Sequence, residues 1–221
     1  MEVAKHRVLG SDFVGAFCIT TDRYSLIPHG TGGSLANIIR GTLRTDPITV
    51  MLANSDMLGV FGRGNSNGIV LSNLVHQSEV DSLRSMLPDI RVGIIESDLN
   101  AIGNNILAND RIAFVNNEYT PVAVKQVSDA LGVEVLPIRI GEFRTVGANN
   151  ILTNIGMAVN NTVSDEEKEH IESILGIKTV RTTANSGSLS IGISVMANSY
   201  GVIAGDLTTG YELARITETL E

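Results

Sequence analysis

The sequence predicts a mixed α/β (α+β) propeller: five strand–strand–helix–strand units closed into a ring, with an N-terminal strand completing the fifth. Three observations carry this. First, an apolar residue, a glycine and a strand-like run ending in Asn, Thr or Asp recur as VGAFCITTD from Val14, LGVFGRGNSNG from Leu58, IGNNILAND from Ile102, VGANNILTN from Val146 and IGISVMANS from Ile191. Their glycines (Gly15, Gly59, Gly103, Gly147 and Gly192) stand 44, 44, 44 and 45 residues apart, and a fixed period of that length marks a repeat architecture. Second, the same succession of polar turn, short apolar run, helix-like piece and closing strand follows each glycine. Third, the last copy ends after its helix, whereas VAKHRVL at residues 3–9 is a strand without a unit.

Within each unit the elements follow in a set order. The turns Thr21-Asp22, Asn65-Ser66-Asn67-Gly68, Asn109-Asp110, Asn154 and Asn198-Ser199-Tyr200-Gly201 use residues that tolerate tight hairpin backbone. A returning apolar strand follows each: YSLIP, GIVLS, RIAFV, GMAVN and GVIAG. Helices come next. Thr120-Pro121 is an N-cap with proline in the first turn, and Ser164 with Glu167, like Thr209 with Glu212, has capping-box spacing. Val80, Leu83 and Leu87 recur at helical intervals, as do Ile171, Ile174 and Leu175, and Leu213, Ile216 and Leu220. PITVMLA, DIRVGII, VEVLPI and IKTVRT close four units. The whole chain, 1–221, is expected to be one domain with repeats at about 10–54, 55–97, 98–140, 141–183 and 184–221, the last completed by strand 3–9. Closure removes open strand edges, and glycine at the start of each inner strand lets five backbones converge at the axis.

Composition narrows the function. Lys and Arg number 16 against 24 Asp and Glu, a formal net charge of −8, with no run of three cations. Nucleic-acid backbones are held by clustered cations, so DNA is excluded as a partner and a basic protein is favoured. There is no run of eighteen apolar residues for a membrane span and no apolar leader with a cleavage site. The lone Cys18 fits a reducing cytoplasm.

The phrases VGAFCITTDRYSLIP, LNAIGNNILAND, VGANNILTN and TANSGSLSIGISVMANSYGVIAGDLTTGYELARITETL, in that order, resemble the translation initiation factor 6 family across essentially the whole chain. The end of the chain at the fifth helix resembles the archaeal form. The resemblance implies the pentein fold, no cofactor and no catalysis; a sealed ring leaves no edge to pair, so a monomer is expected, in the cytoplasm that Cys18 fits. It also implies binding to the large ribosomal subunit near the sarcin–ricin loop, mainly through ribosomal proteins with limited rRNA contact. Small-subunit joining would be blocked there, with a further role in subunit maturation. The Asn after the third-copy glycine faces the ribosome in that family, which maps to Asn104. Ala16, Val60, Ala148 and Ile193 hold the equivalent places; Asn105, Asn149 and Asn150 are added as polar neighbours, and Arg63 as a hairpin contact. A competing reading has Asn149 and Asn150 satisfying strand ends internally.

The pentein ring also hosts guanidine-modifying enzymes, which need an exposed, activated Cys and a His base. Here Cys18 lies in the first inner strand, and His6, His29, His76 and His170 lie off the inner strands. HGTGGS at 29–34 lacks phosphate-loop spacing and reads as a strand–helix turn. The acids after Ser164 fit a capped helix start, and His and Cys show no zinc spacing.

Overall fold

Why the repeated glycines recur is visible at the centre of the ring. The computed structural model describes residues 2–218. Strand β1 (Glu2–Lys5) comes first. The first repeat then runs α1 (Val14–Phe17), β2 (Ile19–Thr20), β3 (Ser25–Ile27), α2 (Gly32–Leu43) and β4 (Pro47–Thr49). The second is α3 (Leu58–Phe61), β5 (Gly62–Gly64), β6 (Gly68–Ser72), α4 (Gln77–Met86) and β7 (Arg91–Ile95), and the third α5 (Ile102–Asn105), β8 (Ile106–Ala108), β9 (Ile112–Asn116), α6 (Pro121–Leu131) and β10 (Glu134–Ile138). The fourth is α7 (Val146–Asn149), β11 (Ile151–Leu152), β12 (Gly156–Asn160), α8 (Asp165–Leu175) and β13 (Lys178–Thr182). The fifth is α9 (Ile191–Ser194), β14 (Val195–Ala197), β15 (Gly201–Ala204) and α10 (Gly210–Thr217).

Each repeat makes one three-stranded sheet: the inner strand pairs antiparallel with the middle one, and the middle one parallel with the outer. The fifth sheet takes its outer strand from the N-terminus, with Glu2 opposite Gly201 and Lys5 opposite Ala204. This strand is shorter than expected. Beyond His6, whose amide still donates to Ala204, the chain turns away, and Val8 bridges Ser11 in a tight bend.

The repeated glycines do not open strands. Each sits second in a one-turn helix (α1, α3, α5, α7 and α9) that precedes the inner strand. Such a turn bonds within itself, as from Ala16 N to Phe13 O and Asn104 N to Ala101 O, so its backbone needs no neighbouring strand at the crowded axis. The five turns touch in cyclic order, α9 against α1 included. A Cβ on Gly103 would lie 1.7 Å from Gly59 O, one on Gly59 1.9 Å from Gly15 O, and one on Gly192 2.0 Å from Gly147 O. No side chain fits there.

The core is divided into five slabs, each between one repeat's sheet and the next repeat's helix. Ile19, Tyr24 and Leu26 of the first repeat pack with Leu58, Val80 and Leu83 of the second. Met196 and Ile203 of the fifth pack with Val14, Leu35 and Ile39 of the first, closing the circle. The helical periodicity accounts for the buried faces: Val80, Leu83, Ile171, Leu175 and Ile216 are buried, with Leu87, Ile174 and Leu213 partly so. Leu220 lies outside the described residues. Caps form where expected. Thr120 Oγ1 accepts from Ala123 N and Ser164 Oγ from Glu167 N, while Thr209 and Glu212 make a reciprocal box. No helix among the described residues is long and apolar enough to cross a membrane.

Candidate functional site

The ring has two unlike ends. At the hairpin end, polar groups are paired from one repeat to the next. Asn65 Nδ2 donates to Asn109 O, Asn109 Nδ2 to Thr153 O and Asn198 Nδ2 to Thr21 O, all 3.0 Å. Ser66 N donates to Asp110, Asp110 N to Asn154, Asn154 Nδ2 to both Asp22 and Asp110, and Ser199 to Asp22. These residues recur at the same period as the glycines. They lace the repeats together.

At the other end are the one-turn helices and the bends that lead into them. Several bends need left-handed backbone: Leu9 and Gly10, Ala53 and Asn54, Gly141, and Asn185 to Gly187 all have positive φ. Carboxylates from the rim helices hold three of the bends. Glu79 accepts from Ala53 N and Asn54 N, Glu167 from Gly141 N, and Glu212 from Ser186 N and Gly187 N. Glu167 thus completes only half of the capping box expected with Ser164, because its carboxylate reaches across to the preceding bend. Glu212 is buried and also accepts from Thr183 Oγ1 and Thr209. Burial alone would raise its pKa, but the hydrogen bonds from Thr183, Thr209 and Gly187 outweigh it and hold the carboxyl down at about 2.

This end also displays large apolar side chains in the first, second and fifth repeats. Phe13 and Met57, immediately before α1 and α3, are 40% and 41% exposed, and Leu9 is 44% exposed. Leu207, whose amide donates to Asp12, is 57% exposed. Phe17, Val60, Phe61 and Ile193 are half-buried nearer the axis, whereas Ala16 and Ala148 are buried. The sector of the fourth repeat differs: Glu142, Arg144, Asp165 and Glu166 are exposed there. Asn104, half-buried in α5, carries a buried Oδ1 with no hydrogen-bond partner, one of two such side-chain atoms among the described residues. The other, Thr179 Oγ1, sits in outer strand β13.

The eIF-6 family model matches residues 3–219. The chain belongs to the eIF-6 family. It is 35% identical to a translation initiation factor 6 of Thermococcus onnurineus, covering all of this chain and 98% of that one. It is 33% identical to that of Picrophilus torridus, covering 99% of both, and 35% identical to that of Pyrococcus horikoshii, covering 95% of this chain and 94% of the other.

In this eIF-6 family chain the other residues expected at the site lie inside. Asn105 is buried, donating to Ala101 O and accepting from Asn116. Asn149 accepts from Thr145 Oγ1 and donates to Leu189 O. Asn150 donates to Val146 O and accepts from the amide and side chain of Asn160. Asn149 and Asn150 thus have internal partners, and so does Asn105: each ties its one-turn helix to a neighbouring element. Arg63 corrects the expectation of a surface hairpin contact. It lies in β5 and turns into the axis, with Nε on Ile106 O and Nη2 on Gly103 O and Gly147 O. Burial pushes its pKa down to about 10, which still leaves it charged at neutral pH.

Cys18 is buried and its thiol is pushed far up by that burial, so thiolate nucleophilicity has no basis there. Among the described residues no three His, Cys, Asp or Glu side chains gather as a metal would require. The exposed apolar sector was missed in the sequence, although the period carried a signal for it. Positions 13, 57, 101, 145 and 190 read Phe, Met, Ala, Thr and Ser, so two neighbouring copies alone place a large apolar group at an equivalent turn.

Proposed function

We propose that this chain binds the large ribosomal subunit through the one-turn-helix end of its ring and keeps the small subunit from joining. In this reading it also takes part in large-subunit maturation. The observation that carries the choice of end is the exposure of Leu9, Phe13, Met57 and Leu207 at the one-turn-helix end, against Ile155 and Tyr200 at the hairpin end; the half-buried Asn104 belongs to the same end as the first four. Exposed apolar clusters rimmed by polar residues mark protein contact sites. The docking partners are basic ribosomal proteins near the sarcin–ricin loop, with limited rRNA contact; the −8 net charge favours the former and weakens the latter. Asn104, half-buried at that end, adds a polar group to the contact. Asn105, Asn149, Asn150 and Arg63 act behind the face by holding the turns in place.

The activity is steric. A ring laced by backbone contacts at its axis and by carboxylate-held bends at its edge presents a preformed surface, so little conformational entropy is lost on docking. Phe13→Asp combined with Met57→Asp tests this through co-sedimentation with purified archaeal large subunits. Affinity is expected to fall at least ~10-fold, corresponding to about 1.4 kcal/mol. Ile155→Asp, at an exposed position of the hairpin end, serves as the control and leaves binding unchanged. Retained binding by the double variant with loss in the control would assign the docking role to the opposite end.

A further inference from the structure

Arg63 raises a question of charge. Its guanidinium is held by three backbone carbonyls and by no carboxylate, and Nη1 has no hydrogen-bond partner among the described residues. The equivalent positions in the other inner strands are Ile19, Leu107, Ile151 and Met196. Four of five copies close the ring with an apolar residue here, so the architecture does not demand a cation. The flanking glycines let the first repeat close in on this strand: a Cβ on Gly62 would lie 2.9 Å from Ile19 Cδ1, and one on Gly64 2.1 Å from Tyr24 Oη.

Arg63 borders a cavity of about 40 Å³ on the axis, lined also by Thr20, Leu107, Asn150, Gly192 and Met196, with no Asp or Glu in its wall. A single water needs about 10–15 Å³ measured in this way, so the space takes one small ion with a water or two and is too small for phosphate or sulfate with a hydration shell. Carbonyl dipoles solvate a guanidinium but do not cancel its charge, so the part-buried Arg63 stays a cation with no carboxylate in contact. Thr20 Oγ1 is a second donor at the wall, with only a 3.5 Å approach to Ser25 Oγ among the described residues.

We propose that the axial cavity is a halide-sized monoanion site, with chloride held by Arg63 Nη1 and the Thr20 hydroxyl. The site is separate from the docking face and does not depend on it. Crystals of the full chain grown or soaked in sodium bromide test it by anomalous diffraction. The expected result is a bromide peak in the axial cavity within hydrogen-bond reach of Arg63 Nη1. The same position in Arg63→Met, which copies the side chain at Met196, is expected to be empty of bromide. Melting in sodium chloride against sodium gluconate at equal ionic strength gives the solution counterpart. Chloride raises the wild-type midpoint by a few degrees and leaves Arg63→Met unmoved. An axial cavity holding only water at high bromide overturns the proposal. So does a peak with no chloride-specific change in melting, which would mean an adventitious ion only. If Arg63→Met does not fold, the wild-type bromide map and melts still decide it.

Discussion

Glu212 shows how much one side chain can carry. Its two oxygens accept from Thr183, Ser186, Gly187 and Thr209, and the left-handed bend at Asn185–Gly187 rests on them. With a folded pKa of about 2 against an unfolded value of about 4.3, its contribution is fully present above the unfolded value and is lost as pH falls through the folded one. Glu212→Gln is therefore expected to cost roughly 2–3 kcal/mol at pH 7 in urea melts, and the difference from wild type should shrink between about pH 4.5 and pH 2. A difference that stayed constant across that range would remove the charged clamp. The Thr209–Glu212 spacing was legible as a helix cap. Its reach to the bend at Ser186–Gly187, some 25 residues back along the chain, was not, because that contact depends on tertiary placement, which no local pattern records. The same limit explains Asn105, Asn149 and Asn150. A sequence shows an asparagine's donors and acceptors; which neighbour takes them is fixed only once the turn packs.

At the scale of the element, the one-turn helix was the unit most easily misread. A four-residue turn holds only one i, i+3 relation, too little to separate from the start of a strand, so Gly15 and its equivalents read as strand openers. Their role at the axis was legible all the same, because only a backbone-to-backbone contact recurring in every copy demands glycine at a fixed period. Two alanine substitutions separate that demand from ordinary helix propensity. Gly103→Ala would place a Cβ 1.7 Å from Gly59 O and 2.7 Å from Gly62 O, both backbone atoms that cannot yield singly. A loss of at least ~3 kcal/mol, or failure to fold, is expected. Gly41→Ala, within α2 with nothing inside 4 Å, should instead stabilise by about 1 kcal/mol. Equal effects at the two sites in chemical denaturation would contradict the crowded axis.

For the whole molecule, closure ties sequence to activity. The spare N-terminal strand pairs with β15, Asn198 reaches Thr21 and Leu43 across the same seam, and Arg44 stacks 5.4 Å from the Tyr200 ring centre. Five slabs of core, each shared by two repeats, leave no repeat able to bury its apolar face alone. The period, the missing last strand and the spare first one made this ring readable before any coordinates. The unlike character of its two ends was far less readable, since it depends on which turns face the same way. That difference is what the proposed occlusion rests on, and subunit joining measures it directly. Archaeal large and small subunits are mixed under joining conditions with and without the wild-type chain and resolved on a sucrose gradient. The expected result is a loss of joined particles, with the chain migrating on the large subunit, and recovery of joining when Phe13→Asp and Met57→Asp are combined. Undiminished joined particles in the presence of wild-type chain, with none of it on the large subunit, would contradict the proposal.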